Sequence, residues 1–270
     1  MERRHIKWFP LIIAALFFAY QYFSSEKFVN PETGRKSHVG LSTKDEALLG
    51  LQSYQQIISQ SPLVNSGPEW DMVQGVVKRL IGGTREDGKN FDWRVSVVQS
   101  QQVNAFCLPG GKIVVYTGIL PVANTEPYLA TVLGHEMAHA TSRHGAQRVL
   151  EQNLTQTAMV GLAGSLSDMD YEKQRAIMGA LGAGAQYGVL MPFSRNHESE
   201  ADHIGLLYMA RAGYDPRESI NFWRRMEESA QSQPPEFLSD HPSHGTRIQQ
   251  LKDWMPEALK EYDGAKAPSG

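Results

Sequence analysis

Two histidines four residues apart, with a glutamate beside the first, form the most informative chemical pattern in this chain. His135, Glu136 and His139 read His-Glu-x-x-His. On an α-helix, positions i and i+4 lie about one turn apart, so both imidazoles leave the same face and can bind one Zn²⁺. Glu136 lies beside that face, where it can accept a proton from a water molecule activated by the metal. The pattern predicts a zinc peptidase with His135 and His139 as ligands and Glu136 as general base.

The residues around this pattern predict that it lies on a largely buried helix. Thr125 can cap the helix, and Glu126 suits its first turn. An apolar stripe then follows at helical spacing: Leu129, Val132, Leu133 and Ala140. Two exposed histidines on a surface helix are the alternative interpretation. Burial argues against that alternative, because unpaired polar groups are costly inside a protein.

A catalytic zinc site needs a third protein ligand, which must come from elsewhere in the chain. The metzincin pattern would require Gly at 142 and His at 145, and the chain has Ser142 and Gly145. A glutamate from a second helix is then the common option. An aspartate four residues after it could hydrogen bond to a ligating histidine. Such a pair occurs at Glu236/Asp240, in a Pro-rich segment interpreted as a loop, and at Glu198/Asp202.

The segment containing Glu198 and Asp202 has the pattern of a well-defined helix. Ser194 can cap it, and Gly213 can end it. Apolar residues recur between them at helical spacing: Ala201, Ile204, Leu207, Tyr208 and Ala212. We therefore predict Glu198 as the third zinc ligand and Asp202 as its neighbour, hydrogen bonded to His135. Glu200 is the alternative third ligand.

Four segments in the same order resemble metallopeptidase family forty-eight. These are the His-Glu-x-x-His helix, Arg-x-x-Glu-x-Glu-Ala-Asp at 195–202, the strand and turn at 104–112, and His-Pro-x-x-x-x-Arg at 241–247. The family includes prenyl-protein endopeptidases, a mitochondrial inner-membrane stress peptidase and bacterial periplasmic quality-control peptidases. The resemblance implies a gluzincin fold, α+β but mostly α, with a small sheet beside the zinc helix. It also implies that His135, His139 and Glu198 bind the metal.

Other polar residues are candidates for supporting roles. His241 could stabilise the oxyanion of the reaction or occupy the open zinc position and keep the enzyme latent, or it could be an ordinary loop histidine. Arg195 could bind substrate or pair with Glu198 or Glu200. The remaining histidines of this half of the chain are expected at the surface or behind the ligands: His144, His197, His203 and His244.

The strand that begins Asn104-Ala105-Phe106 is the predicted substrate-binding element. Peptidase clefts commonly hold a peptide as an added strand, which gives affinity with little sequence preference. This mode suits unfolded or misfolded polypeptides of the cell envelope as substrates. The other function considered is a latent, chaperone-like or adaptor protein whose zinc site His241 closes.

The N-terminus predicts attachment to a membrane. Residues 1–7 are basic and residues 8–23 are apolar, which indicates a membrane anchor or a cleaved signal peptide. The positive-inside rule places the rest outside the cytoplasm, in the periplasm of a bacterium. Secretion after cleavage and the mitochondrial inner membrane are the alternatives. Residues 24–42 would be a tether, 43–262 one peptidase domain and 263–270 a flexible tail.

Composition excludes several other classes. The net charge of −3 gives no case for nucleic-acid binding. The single cysteine, Cys107, permits no internal disulfide and is expected to be a small buried hydrophobe. Beyond the anchor no uninterrupted apolar run of about 18 residues occurs, which argues against a multi-pass prenyl-protein endopeptidase. Predicted strands are 93–99, 103–108 and 112–116, and predicted helices are 43–60, 68–83, 126–142, 146–167, 171–190, 195–212, 216–230 and 246–261.

Overall fold

A computed structural model describes residues 7–86, 88–173, 175–178, 193–229, 235–241 and 245–266. The chain forms two compact units. One contains Met1–Val29, Lys36–Ser42 and Gly145–Met191, and the other contains Asn30–Arg35, Thr43–His144 and Pro192–Gly270. The division therefore separates Gly145–Met191 from the rest of the segment 43–262 that the sequence assigns to one domain.

The smaller unit contains two helices and a two-stranded sheet. Helix α1 spans Trp8–Ser24, and α5 spans His144–Ser165, of which all but His144 lies in this unit. Strands β1 (Glu26–Val29) and β2 (Lys36–Val39) pair antiparallel. The segment expected to be a tether thus contains a hairpin, whose strands are too short to give a clear alternating pattern in the sequence. Within the described residues, we find no helix that is both long and apolar enough to span a membrane.

The larger unit contains a four-stranded mixed sheet in the order β3-β4-β6-β5. Its strands are β3 (Leu63–Val64), β4 (Arg94–Val98), β5 (Ala105–Leu108) and β6 (Lys112–Tyr116). The predicted hairpin between β5 and β6 is present, and Gly110 and Gly111 turn the chain with φ values of 75° and 84°. β3 escaped prediction because two residues carry no periodicity. β5 lies at the edge of this sheet.

Helices α4 (Glu126–Thr141) and α6 (Arg195–Arg211) pack against each other in the larger unit, and the sequence predicts both helices. The hydroxyl of Thr125 accepts a hydrogen bond from the amide of Tyr128, and that of Ser194 accepts one from His197, so both predicted N-caps are present. Every residue of α4 from Leu129 to Thr141 is buried. The remaining helices of this unit are α2 (Thr43–Gln60), α3 (Pro68–Gly83), α7 (Glu218–Ser229), α8 (Glu236–Asp240) and α9 (Arg247–Lys266).

The structure also differs from the predicted elements at Glu236–Asp240 and at the C-terminal end of α9. Glu236–Asp240 is a short helix, so its interpretation as a loop was wrong. Pro235 immediately precedes the helix, in extended conformation. α9 continues to Lys266, past the predicted end of the helix and into the predicted tail. Of the predicted helix 171–190, residues 171–173 and 175–178 are helical, and residues 179–190 lie outside the described residues, as do 1–6, His244 and 267–270.

Close packing of α4 against α6 depends on two glycines. A Cβ built on Gly205 would lie 2.7 Å from the amide nitrogen of His135, and one on Gly134 would lie 2.9 Å from the carbonyl oxygen of Gly205. These are backbone atoms, which cannot rotate away as side chains do. The two helices, and the chemical groups they carry, can approach this closely only with glycine at both positions.

We predict that Gly205→Ala lowers the free energy of unfolding by about 1–3 kcal/mol, because an added methyl overpacks this contact. Gly75→Ala is the matched control, since a Cβ on Gly75 in α3 meets nothing within 4 Å. Alanine in a helix should there raise stability by about 0.5–1 kcal/mol. Urea unfolding of both variants checks the pair, and an equal effect of the two substitutions would contradict the role of the helix contact.

Candidate metal centre

Three elements bring four metal-binding side chains together. α4 carries His135 and His139 on one face, α6 carries Glu198, and the chain after α8 carries His241. All four are buried, and one potential ligand atom from each lies within 4.8 Å of the others. The spacing in the sequence places His135 and His139 together, whereas the packing of α4 on α6 adds Glu198.

The interatomic distances describe a tight cluster. Nε2 of His135 lies 3.0 Å from Nε2 of His139. The Glu198 carboxylate lies 3.3 Å from Nε2 of His139 and 3.5 Å from Nε2 of His135. Nδ1 of His241 lies 3.0 Å from Oε1 of Glu198 and 3.2 Å from Nε2 of His135. Three imidazoles and one carboxylate form a donor set of the type that zinc takes.

Asp202 hydrogen bonds to the first histidine from behind. Its Oδ1 lies 2.9 Å from Nδ1 of His135. A carboxylate accepts, so the imidazole donates from Nδ1 and leaves its Nε2 lone pair directed at the cluster. The opposite oxygen of Asp202 accepts from Nε of Arg247 at 2.6 Å.

Arg247 has no role predicted from the sequence, but the structure places it against the cluster. It is fully buried, donates to Glu198 at 2.8 Å as well as to Asp202, and its guanidinium lies 3.9 Å from the ring centre of Trp223. The His-Pro-x-x-x-x-Arg segment contained the signal, but nothing local in the sequence tied this arginine to a helix 45 residues earlier. Its charge compensates part of the negative charge that Glu198 and Asp202 bring into the core.

The charges of the cluster fit a divalent cation. Glu136, Glu198 and Asp202 are buried carboxylates. Among the described residues, Arg247 is the buried guanidinium that pairs with two of them, Glu198 and Asp202. When the imidazoles are deprotonated, as metal binding requires, two negative charges remain uncompensated in a medium where uncompensated charge is costly. A divalent metal ion held by these side chains would supply two positive charges.

Burial and the hydrogen bonds within the cluster also shift the pKa values of its members. Burial alone would lower the pKa of His135, but hydrogen bonds to Asp202 and Glu198 raise it to about 10. Burial opposes ionisation of Glu198, yet hydrogen bonds from His135, His139 and His241 hold its pKa far below the usual range. Burial lowers the pKa of His139 well below that of a free histidine. The carboxylates thus favour a positive charge at His135, and a bound metal ion would supply that charge in place of the proton.

Glu200, the alternative third ligand, lies outside the four-residue cluster. Its Oε2 lies 2.9 Å from Nε2 of His144, and Nδ1 of His144 lies 3.0 Å from Nδ1 of His139. Arg35 also binds this carboxylate, through Nε at 2.7 Å. Burial opposes ionisation of Glu200, but His144, Arg35 and Thr33 lower its pKa to about 2. Glu200 and His144 therefore lie behind His139, much as Asp202 lies behind His135.

The end of α4 directs His144 back towards His139. Arg143 adopts a left-handed conformation with φ of 54°, which turns the chain sharply after the helix. Its buried guanidinium donates to both oxygens of Glu46 in α2, at 3.1 Å and 3.3 Å. The pairing holds the turn in place. His197 stacks on His144 with ring centres 4.4 Å apart, and His203 lies apart from the cluster and binds Glu257.

Glu136 is buried beside the cluster with unused hydrogen-bonding capacity. Its Oε1 has no hydrogen-bond partner among the described residues, although Nε2 of His241 lies 3.3 Å away. Burial raises the pKa of Glu136, and the nearby His241 and His135 oppose that rise. A carboxylate with a raised pKa and a free oxygen has the properties of a general base.

The edge strand β5 packs against α4, the helix that carries Glu136. Asn104, just before this strand, accepts from the amide of Ala105 through its side chain at 2.8 Å. Phe106 is partly exposed on the strand. Arg195 is exposed and, within the part of the chain that the structure describes, makes no ion pair with Glu198 or Glu200, so that pairing is not present.

Phe193 covers the cluster and was not predicted. Its ring centre lies 4.1 Å from that of His139 and 5.7 Å from that of His241. An aromatic ring against two imidazoles excludes water from one side of the cluster. No sequence pattern marks this residue, because it lies just before the N-cap of α6 and outside any periodic stretch.

Two histidines from a His-Glu-x-x-His helix, a glutamate from the helix packed against it and a small adjoining sheet define a zincin-like metallopeptidase. The chain belongs to Peptidase family M48, whose sequence profile matches residues 70–255. The resemblance seen in the four sequence segments is thereby confirmed, and so is the expectation of a metallopeptidase.

Curated relatives of two kinds match this chain. The mitochondrial metalloendopeptidase OMA1 of Schizosaccharomyces pombe is 33% identical over 242 residues, which cover 88% of this chain and 68% of the relative. The OMA1 metalloendopeptidase of Homo sapiens is 33% identical over 264 residues, covering 94% and 50%. The β-barrel assembly-enhancing protease of Yersinia pestis is 30% identical over 228 residues, covering 83% and 46%. The chain spans about half the length of the last two.

Proposed function

We propose that the protein is a zinc-dependent endopeptidase that cleaves unfolded or misfolded polypeptides of a cell envelope or organelle membrane. The observation that carries this proposal is the buried cluster of His135, His139 and Glu198, with an oxygen of Glu136 left free beside it. A structural zinc site would favour four Cys or His ligands and would have no use for a neighbouring base. Relatives named as metalloendopeptidases support the same reaction.

The proposed mechanism divides the work among few residues. A bound zinc ion would polarise the scissile carbonyl and acidify water. Glu136 accepts the proton of the attacking water and passes it to the leaving amine. Its raised pKa suits both steps, because a carboxyl that is too acidic holds a proton poorly. Phe193 restricts bulk water on the side of His139.

We propose that the substrate binds as an additional strand on β5. The outer edge of β5, with Asn104 just before it and Ala105 and Phe106 within it, would provide backbone pairing beside α4, the helix that carries Glu136. Only an extended polypeptide can pair in this way, so folded proteins would be spared. Exposed Arg195, at the start of α6, is available to a substrate side chain or carboxylate.

His241 is proposed as a latch on this site. Its Nδ1 lies among the ligand atoms, so it can occupy the metal position that water needs. Its Nε2 lies 3.3 Å from the free oxygen of Glu136, so the same ring also blocks the base. This geometry favours latency over the role in oxyanion stabilisation. It is also the observation behind the second candidate function, a latent chaperone-like or adaptor protein.

Membrane attachment through residues 8–23 belongs to the same proposal. α1 exposes large apolar side chains, and none of its residues is buried. Such a surface favours lipid or a protein partner over water. We propose a single-pass anchor in a bacterial inner membrane with the peptidase in the periplasm. The mitochondrial inner membrane and release after signal cleavage are the alternatives.

We predict that Glu136→Gln abolishes cleavage of unfolded casein, with a loss of at least about 100-fold, because the amide cannot accept the proton. Zinc content should remain near one ion per chain, since Glu136 is not a proposed ligand. Gel assays with and without a chelator, together with metal analysis, check both statements. Glu126→Gln, an exposed glutamate at the start of the same helix, is the control. Equal cleavage by wild type and Glu136→Gln would refute the mechanism.

We predict that His241→Ala raises the rate of casein cleavage, because it frees both the metal position and the base. Zinc content should be unchanged, as three ligands remain. His203→Ala, a histidine outside the cluster, is the control. A fall in rate with zinc retained would instead support oxyanion stabilisation, and the latch would have to be abandoned.

We predict that the full chain, expressed in a Gram-negative bacterium, stays in the membrane fraction after alkaline carbonate extraction. A lysine at the centre of the apolar run, Ala15→Lys, should release much of it, since a charge there is costly in lipid. Ser24→Lys, at the end of α1, is the control and should stay bound. Release of the unaltered chain by carbonate would rule out the anchor.

A further inference from the structure

Residues 30–35, between β1 and β2, hydrogen bond to Glu200, the carboxylate that lies behind His139. Thr33 donates its hydroxyl to Oε1 of Glu200 at 2.6 Å, and Asn30 donates to the same oxygen at 3.2 Å. Arg35 donates to Oε2 through Nε at 2.7 Å and Nη2 at 2.6 Å. These six residues precede the family match, which begins at residue 70. They were expected to form part of a tether.

Two hydrogen bonds connect Glu200 to the proposed metal ligand His139 through His144, and the donor of each can be assigned. A carboxylate only accepts, so His144 donates to it from Nε2, at 2.9 Å. A neutral His144 then has its lone pair on Nδ1, which accepts from Nδ1 of His139 at 3.0 Å. That leaves the lone pair of His139 on Nε2, the atom that faces Glu198 and His135. The tautomer and ring orientation of His139 are therefore fixed from the far end of this chain of hydrogen bonds.

Residues 30–35 are held in place independently of Glu200. Arg211 donates to both carboxylate oxygens of Glu32, at 2.6 Å and 2.9 Å, and both side chains are about nine-tenths buried. Asn30 also donates to the hydroxyl of Ser142, at the end of α4, at 2.9 Å. A segment fixed at two other points can constrain the carboxylate that it contacts.

The two histidines of the cluster are thus supported in parallel ways. Arg247 holds Asp202, which fixes His135. Arg35 and Thr33 hold Glu200, which fixes His139 through His144. The first support comes from the C-terminal part of the chain, and the second comes from the segment that follows α1.

We propose that residues 30–35 are a positioning element for the metal ligand His139, acting through Glu200 and His144. The proposal rests on the proposed metal centre, and it assigns these residues no contact with substrate. Outer partners of ligating histidines typically contribute about 10–100-fold to metal affinity. Loss of the contacts at Glu200 should therefore change how the metal is held before it changes anything else.

The test measures the metal directly in the full chain. Zinc release from wild type to a chromogenic chelator is timed, and the visible absorption of the Co²⁺-substituted protein reports the ligand geometry. Glu200→Gln should release zinc about 10–100-fold faster and shift the cobalt spectrum. Thr33→Val should do the same to a smaller extent, and Thr33→Ser, which keeps the hydroxyl, should restore wild-type behaviour. Adding Thr33→Val to Glu200→Gln should have little further effect, because both act through one contact.

Glu257→Gln is the matched control. It breaks a carboxylate–histidine contact of 2.8 Å between Glu257 and His203. His203 lies on α6, as Glu200 does, but away from the cluster. Wild-type zinc release and cobalt spectra in Glu200→Gln and Thr33→Val would overturn the proposal, as would a loss of thermal stability in Thr33→Val with an unchanged spectrum. If Glu200→Gln does not fold, Thr33→Val decides. Failure of the wild type itself to bind zinc or cobalt would refute the metal centre, and this is seen before any variant is made.

Discussion

The structure of the larger unit depends on one electrostatic constraint: three buried carboxylates lie around a cluster of three imidazoles. Among the described residues, the buried guanidinium of Arg247 pairs with two of these carboxylates. Glu198 and Asp202 are tolerated in the core because Arg247 and the histidines donate to them. The close approach of α4 and α6 at Gly134 and Gly205 makes these hydrogen bonds short enough to form. The packing of the helices and the chemistry of the site are therefore the same set of contacts. The net negative charge that remains when the imidazoles are neutral would suit a cation.

Local sequence information was sufficient for much of this arrangement. The periodicity and caps of α4 and α6 were correct to within a residue or two, because both helices begin at a Ser or Thr whose hydroxyl caps a backbone amide. The spacing of His135 and His139 places them on one face of a helix in any fold. The hairpin of β5 and β6 followed from a Pro-Gly-Gly turn. In each case the deciding interaction lies within a few residues along the chain.

The parts that escaped prediction depend on contacts between distant segments. Arg247 and Asp202 are 45 residues apart, and Thr33 and Glu200 are 167 apart. No local pattern distinguishes a buried arginine with two carboxylate partners from a solvated one. Residues 24–42 resemble a linker in composition, yet they contain a hairpin and the buried Asn30. The helix at Glu236–Asp240 is too short for periodicity to reveal it.

The spacing of acidic residues on α6 explains how one helix can serve both histidines. Glu198 and Asp202 are four residues apart and share a face, so one can join the metal ligands while the other holds His135. Glu200 is two residues from each, about 200° around the helix, and points away from that face. It cannot join the cluster, but it can meet a residue that lies beyond the end of α4. The left-handed turn at Arg143 brings His144 to that position, so the side of α6 turned away from the ligands supports the second histidine.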